Sequence, residues 1–116
     1  MVVGEERIMP IYNKLVRDKI PEIIEKTGRR FTTEILNQER YITELRNKAY
    51  EELEEYVNTT SNNGAIEELA DLLEVIHALA KIHSSSIEEV EEIRKVKEQK
   101  RGGFSEKVFL INVEGQ

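Results

Sequence analysis

Two pairs of carboxylates are the residues of this sequence best suited to chemistry. Glu52 and Glu55 form the first pair, and Glu68 and Asp71 form the second, each with a spacing of three. On a helix that spacing places both members of a pair on neighbouring turns of one side. Two helices joined by the polar run TTSNNG would lie antiparallel, so the four groups could converge. Because like charges at close range resist ionising together, this convergence predicts a divalent cation between them.

A Glu-rich helix is usually only a solvated face, so the acidic composition alone does not decide between the two interpretations. The apolar periodicity favours the metal site. With residues about 100° apart around a helix, Glu52 and Glu68 lean toward the apolar side, and Glu55 and Asp71 lie near its boundary. An inward carboxylate without a partner is costly, which makes a cation the better explanation. The neighbouring acids are predicted to face water: Glu51, Glu54, Glu67 and Glu74.

Length and composition indicate one domain over residues 1–116, with 39% hydrophobic and 34% charged residues. The net charge of −6 argues against a general nucleic-acid binder, which needs a basic face for phosphates. A single nucleotide stays compatible, because a bound cation inverts the local field. The absence of cysteine excludes disulfides, zinc thiolates and thiol catalysis. With no secretory or membrane-spanning apolar run, we expect a cytoplasmic protein that does not bind membranes.

The elements that position the acids are predicted to be helices, which gives an all-α fold with short extended segments near the termini. Asn37 suits the cap of a long helix to about Val57, and Ser86 with Glu89 forms a capping box. The wide apolar arc of the second acidic helix predicts contact with another subunit. The predicted helices cover about 21–28, 38–57, 65–83 and 87–100, and the predicted irregular or extended segments are 1–10, 31–36 and 107–113.

Two basic clusters flank these helices. Lys14 and Arg17 precede the first helix, and Lys97, Lys100 and Arg101 end the last one. Each cluster has an ordinary alternative, either as a charged helix entrance or as cations that compensate a helix dipole. The functional interpretation is contact with phosphate, helped after Arg101 by two glycines that allow backbone amides to approach an anion closely.

The order of these features resembles the MazG-like superfamily of all-α nucleoside triphosphate pyrophosphohydrolases, which includes phosphoribosyl-ATP pyrophosphohydrolase. The family motif E-x-x-E, spacer, E-x-x-D falls on the four acids described above, and Lys48 ahead of the first pair also fits. KLVRDKIP at 14–21 and KRGGF at 100–104 are similar to the small single-domain branch often labelled phosphoribosyl-ATP pyrophosphohydrolase-like. The resemblance covers nearly the whole chain.

The resemblance implies an antiparallel helical bundle completed by dimerisation, as a homodimer or homotetramer. It implies Mg²⁺, or Mn²⁺, on the four carboxylates and hydrolysis of a nucleoside triphosphate to NMP and pyrophosphate. Two alternatives stay open: phosphoribosyl-ATP hydrolysis in histidine biosynthesis, and a non-catalytic regulatory dimer that binds metal or nucleotide. No residue marks a nucleobase pocket. The residues expected to hold phosphate oxygens are Lys48, Lys97, Lys100 and Arg101, with Lys14 and Arg17.

Overall fold

The fold was analysed in a computed structural model, which describes residues 10–115. Four helices follow one another and no strand occurs in this range, so the all-α prediction is confirmed. The predicted lead-in at 1–10 lies, apart from Pro10, outside the described residues. The helices are α1 (Ile20–Glu25), α2 (Gln38–Asn58), α3 (Asn62–Ile82) and α4 (Ile87–Arg101).

The α2–α3 hairpin forms the packed part of the molecule. The Asn37 side chain accepts a hydrogen bond from the Arg40 amide at 2.9 Å and so satisfies one free donor at the start of α2. The two helices then pack along each other, and a connection of only three residues makes them antiparallel. The buried apolar residues among those described are Leu45 on α2 and Val75 and Ala80 on α3. The single-chain core is therefore small.

The turn between α2 and α3 is shorter than the sequence suggests. We predicted TTSNNG as a loop ahead of a helix from about 65, but α3 already begins at Asn62. The reason is local: the Ser61 hydroxyl accepts a hydrogen bond from the Gly64 amide at 3.0 Å and caps the helix early. The short connection sets the position of α3 along the axis of α2. It therefore determines which acids of the two helices lie opposite each other.

The C-terminal third is much less covered. Ser86 caps α4 by accepting a hydrogen bond from the Glu89 amide at 3.2 Å, as the capping box predicts. The helix ends at Gly102, whose φ of 82° suits glycine. Among the described helices α4 approaches only α3. The segments predicted to be irregular or extended at 31–36 and 107–113 lack regular secondary structure.

None of the helices between residues 10 and 115 combines the length and the apolarity that crossing a membrane requires.

Candidate metal centre

The hairpin brings the four predicted acids together around Glu52. Two overlapping sets share this residue: Glu52 with Glu68 and Asp71, and Glu52 with Glu55 and Glu51. Within each set, one oxygen of every carboxylate lies within 4.8 Å of the others. The three-residue spacing supplies two acids from each helix, and the antiparallel packing places the two pairs face to face.

Glu52 is the one buried charged residue among those described, with 6% of its surface exposed. The Lys48 ammonium lies 3.5 Å from one of its carboxylate oxygens, Oε1. The other oxygen, Oε2, is buried and has no hydrogen-bond partner, and the same holds for Oε2 of Glu68. Buried polar atoms are nearly always paired. Two orphaned carboxylate oxygens inside an acidic cluster are therefore the pattern that a hard cation, which binds oxygen ligands, would complete.

The electrostatics of the two orphaned acids agree with this. Burial raises the pKa of Glu52, and the charges of Glu55 and Asp71 raise it further against the opposing charge of Lys48. Burial also raises the pKa of Glu68, together with a side-chain contact and repulsion from Glu55. Both carboxyls thus resist ionisation when no cation is present, as expected for like charges held close together.

Glu51 corrects one expectation from the sequence. We predicted that it faces water, but it is half-buried and joins the second acidic set. Its Oε1 lies 3.0 Å from the Lys14 ammonium and 3.4 Å from that of Lys48. Burial opposes ionisation of Glu51, but the hydrogen bond from Lys14 and the charge of Lys48 outweigh it and lower its pKa. The i, i+3 spacing of Lys48 and Glu51 was the available signal for this pairing.

The basic segment before α1 lies across the acidic hairpin. Besides the Lys14–Glu51 pair, the Arg17 guanidinium donates a hydrogen bond to Oδ1 of Asp71 at 2.6 Å. Both members of the Arg17–Asp71 pair are about half exposed, so solvent screens the pair. The predicted phosphate contacts Lys14, Arg17 and Lys48 therefore all stand at the cluster.

The other three predicted phosphate contacts are not brought to the cluster within one chain. Lys97, Lys100 and Arg101 are exposed on α4, and none forms an ion pair with a cluster acid in the described part of the molecule. Their sequence signal was local, a basic helix end followed by glycines. Local signals of this kind do not determine where a helix end lies in the fold.

A cleft of about 530 Å³ opens beside the cluster, between the end of α2 and the start of α3. Lys14, Glu55 and Glu68 line it on the acidic side, and Asn58 and Thr59 line it at the turn. The sequence analysis did not single out Asn58 or Thr59. The only available signal was that both directly follow the first acid pair at the end of a helix.

No protein-family model, characterised protein or solved structure matches this chain. The resemblance to MazG-like pyrophosphohydrolases therefore stays a prediction that rests on the residues quoted for it. The geometry of the cluster stands independently of that resemblance.

Proposed function

We propose that this protein is a Mg²⁺-dependent nucleoside triphosphate pyrophosphohydrolase that cleaves between the α and β phosphates to release NMP and pyrophosphate. The observation that carries the proposal is the buried Glu52 with its unpartnered Oε2, at the centre of two converging sets of acids. A catalytic or binding site explains why a fold with so small a core keeps a charged group there.

The residues present fit a hard divalent cation. Glu52, Glu68 and Asp71 would hold it, with Glu55 at the solvent side of the cluster. All the donors are carboxylate oxygens, which suit Mg²⁺ or Mn²⁺ rather than a softer metal. When bound, the ion would neutralise phosphate charge and make water a better nucleophile. Glu55 is exposed and contacts both Glu52 and Glu68, so it is placed to exchange a proton with water.

The basic residues would bind the triphosphate. Lys14, Arg17 and Lys48 already stand within ion-pair distance of the cluster acids, so they need no large movement to meet an anion at the cluster. Arginine binds phosphate oxygens through two parallel donors, and lysine acts as a point charge. Five cluster acids face these three cations, so the site would favour a triphosphate only together with a bound metal, which offsets the negative charge of the acids.

The adjacent cleft would take the nucleoside. Its volume of about 530 Å³ suits a small ligand. Asn58 carries both a donor and an acceptor, which a base edge or a ribose hydroxyl could use, and the Thr59 hydroxyl offers a second contact. In this polar, shallow cleft only a few contacts would recognise the nucleobase.

We propose further that a second copy completes the helical bundle. One chain supplies an antiparallel pair of long helices, and two such hairpins make four. On α3 the apolar Leu69 and Leu73 are each about half exposed, as expected for residues that a neighbouring helix covers. The protein should therefore behave as a homodimer or homotetramer.

The deciding experiment is a reaction with Mg²⁺ and a panel of nucleoside triphosphates together with phosphoribosyl-ATP, scored separately for pyrophosphate and orthophosphate. Pyrophosphate from nucleoside triphosphates, abolished by chelator, is the expected result. Turnover of phosphoribosyl-ATP alone would assign the histidine-pathway reaction instead. Binding of metal and nucleotide without turnover would indicate a regulatory protein. Release of orthophosphate, or full activity in chelator, would contradict the proposal.

A further inference from the structure

The segment before α1 reaches over the acidic cluster and is joined to it by two cations. In this segment, called here the strap (residues 14–17), the Lys14 ammonium lies 3.0 Å from Oε1 of Glu51 on α2. At the other end of the strap the Arg17 guanidinium lies 2.6 Å from Oδ1 of Asp71 on α3. The strap therefore bridges the two helices that supply the acids, with one ion pair to each helix.

The backbone on both sides of the strap has a defined path. Asn13 has a φ of 46°, in the left-handed region that asparagine tolerates better than most residues, and it turns the chain directly before Lys14. At the other end the Ile20 amide donates a hydrogen bond to the Arg17 carbonyl at 3.0 Å, where α1 begins. Between these turns Leu15 is half-buried. The side chains of Lys14 and Arg17 then carry the strap onto the hairpin.

The two acids that the strap contacts have different roles in the cluster. Asp71 belongs, with Glu52 and Glu68, to the set proposed above to hold the cation, whereas Glu51 belongs to the other set. Neither strap cation pairs with the orphaned Oε2 atoms of Glu52 and Glu68. Among the described acids, Asp71 is therefore the one that a bound cation and the strap would both contact.

Sharing this acid places Arg17 in competition with the cation. A Mg²⁺ ion on Asp71 would weaken the attraction that holds the guanidinium and would repel it, because two positive charges would share one carboxylate. The existing pair can give way, since Arg17 and Asp71 are 56% and 42% exposed and exposed ion pairs contribute little. Lys14 meets no such competition, because Glu51 is not among the proposed ligands. The Arg17 end of the strap is therefore the end that exchanges.

A second partner for Arg17 lies close to the first. Lys14 lines the cleft beside the cluster, so a strap that stays attached through Lys14 keeps the guanidinium near the place proposed for the triphosphate. Guanidinium groups bind phosphate oxygens through two parallel donors, and such charge-assisted bonds are stronger than ordinary hydrogen bonds. Arg17 can thus replace a carboxylate partner by a phosphate partner without leaving the cluster.

We propose that Arg17 couples metal binding to triphosphate binding by exchanging partners. It holds Asp71 in the metal-free protein, leaves Asp71 when a divalent cation binds, and then donates to a phosphate oxygen. The strap stays attached through Lys14 in all three states, and the metal binds before the triphosphate. This inference rests on the metal site of the proposed function but not on hydrolysis.

Metal affinity in the absence of nucleotide tests the first exchange. Because coupling between two groups that compete for one acid is reciprocal, removing the guanidinium should strengthen Mg²⁺ binding. We expect Arg17→Gln to bind Mg²⁺ about fivefold more tightly than the parent in titration calorimetry, the upper end for an exposed ion pair. This change is opposite in sign to the weaker nucleotide binding that loss of a phosphate contact would cause.

The matched control is Lys19→Gln. It removes the same charge from an exposed position next to the strap, and Lys19 forms no ion pair within the described part of the chain. Its affinity for Mg²⁺ should stay close to that of the parent. Equal gains in the two variants, or no gain in Arg17→Gln, would overturn the proposal.

The reactivity of the Arg17 side chain tests the whole cycle. Phenylglyoxal modifies free guanidinium groups, and mass spectrometry of the peptides locates each modified arginine. We expect Arg17 to react slowly in chelator, about threefold to fivefold faster in excess Mg²⁺, and slowly again when inorganic tripolyphosphate is added with the Mg²⁺. Arg94, which pairs with Glu91 on its own helix, is the internal control and should react at one rate throughout.

The outcomes separate this proposal from the proposed hydrolysis. An Arg17 rate that does not rise with Mg²⁺, or that changes in step with the rate of Arg94, would overturn the exchange. Continued fast reaction after tripolyphosphate is added would overturn it as well. Partner exchange by Arg17 without pyrophosphate release from any nucleotide would support this proposal and contradict the hydrolysis. Pyrophosphate release with an unchanging Arg17 rate would do the opposite.

Discussion

The α2–α3 hairpin and the C-terminal region depart from ordinary protein surfaces in opposite directions. In the hairpin a carboxylate, Glu52, is nearly as buried as the core residue Leu45, at 6% against 4% exposure. In the C-terminal region Phe104 and Phe109 stand in water at 98% and 87% exposure. Charged residues are rarely buried unpaired, and contiguous apolar residues are rarely left exposed. Both departures are surfaces that a partner would cover, and the function proposed above assigns a cation to the first.

The two regions also differ in how they are held. Side chains from three segments meet at the acidic cluster, so its geometry is determined from several directions. Among the described helices α4 packs only on α3, and residues 104–113, which follow it, are exposed. Changes at the acidic cluster should therefore alter chemistry and ligand affinity, and matched changes on α4 should leave both unaltered. The predictions below test this division, from the largest expected effect to the smallest.

The largest effect is expected from Glu52→Gln. This change keeps the shape of the side chain but removes the charge that both acidic sets share. We expect affinity for Mg²⁺ and pyrophosphate release to fall by about 100-fold or more, since even outer-shell changes at metal sites cost 10–100-fold. Titration calorimetry without nucleotide gives the first quantity and a pyrophosphate assay gives the second.

The matched control for that experiment is Glu74→Gln. Glu74 is an exposed acid on α3 that belongs to neither acidic set, so its neutralisation should leave both quantities nearly unchanged. Similar losses in both variants would mean that the overall negative charge, and not the cluster, attracts the metal.

The sequence alone predicted the acidic pairs and their orientation because helical periodicity acts within one element. Glu52 was predicted to lean inward and is buried, and Glu54 and Glu74 were predicted to face water and are exposed. The same reasoning was wrong for Glu51. Its environment comes from Lys14, which lies 37 residues earlier in the chain, and no periodicity of α2 contains that contact.

The helix boundaries show the same limit at closer range. The caps at Asn37 and Ser86 were predictable, since each precedes an apolar periodic run. In TTSNNG several residues can cap a helix, and only the structure selects Ser61. The basic end of α4 was recognised from its composition, but its distance from the acids depends on how α4 leaves α3. That angle is set by packing, which a single helical segment does not encode.

The next effect compares two arginines in the two regions. Arg17 pairs with Asp71 at the cluster, and Arg94 pairs with Glu91 on α4, both at 2.6 Å and both about half exposed. Arg17→Gln should raise KM for the nucleotide about tenfold, because a charge-assisted phosphate contact is worth roughly 1.5–3 kcal/mol. Arg94→Gln removes the same charge and an ion pair with no cluster acid, since Arg94 pairs with Glu91 and Glu98 on its own helix, so it should leave KM unchanged. Steady-state kinetics at saturating Mg²⁺ measures both, and equal KM values would assign Arg17 a purely structural role.

A smaller effect concerns stability without metal. The pKa of Glu52 is raised in the folded state above the ordinary value of 4.5, so folding binds a proton there. The contribution of that bound proton to the free energy of unfolding is fully present below about pH 4.5. It is lost as the pH rises through the pKa of Glu52 in the folded protein. In chelator near pH 8, Glu52→Gln should therefore raise the free energy of unfolding by about 1 kcal/mol, the lower end of the cost of a buried unpaired group. The gain should shrink toward about pH 5 and on addition of Mg²⁺, as denaturant melts would show.

Glu51→Gln provides the control of opposite sign. The pKa of Glu51 is lowered in the folded state, so the charged Glu51 side chain stabilises the fold above about pH 4.5. This stabilisation is lost as the pH falls through the pKa of Glu51 in the folded protein. In the same buffers this variant should be less stable than the parent at neutral pH. If the free energy of unfolding changed in the same direction in both variants, stability would depend only on the total charge of the cluster. The unpaired Glu52 and the ion-paired Glu51 would then not differ in their contributions.

The smallest effect is a partial rescue that distinguishes two glycines, one in each region. An added Cβ at Gly64 would lie 2.5 Å from Oγ1 of Thr59 and 2.9 Å from Oγ of Ser61, whereas at Gly102 it would meet nothing within 4 Å. Alanine normally favours a helix over glycine by about 1 kcal/mol. At Gly64 this gain should be outweighed by crowding at the turn and loss of the Ser61 cap, for a net destabilisation of about 1 kcal/mol. Gly102→Ala should cost a similar amount of stability, but only through the backbone. The φ of 82° and ψ of 173° at Gly102 form a conformation that essentially only glycine adopts, and it costs other residues about 1–3 kcal/mol.

Thr59→Ala should restore part of the stability lost in Gly64→Ala and none of that lost in Gly102→Ala. Thermal melts of the two single and two double variants distinguish the causes. Equal rescue, or none, at both glycines would mean that the turn between α2 and α3 is not the tightly packed joint that sets the register of the acids.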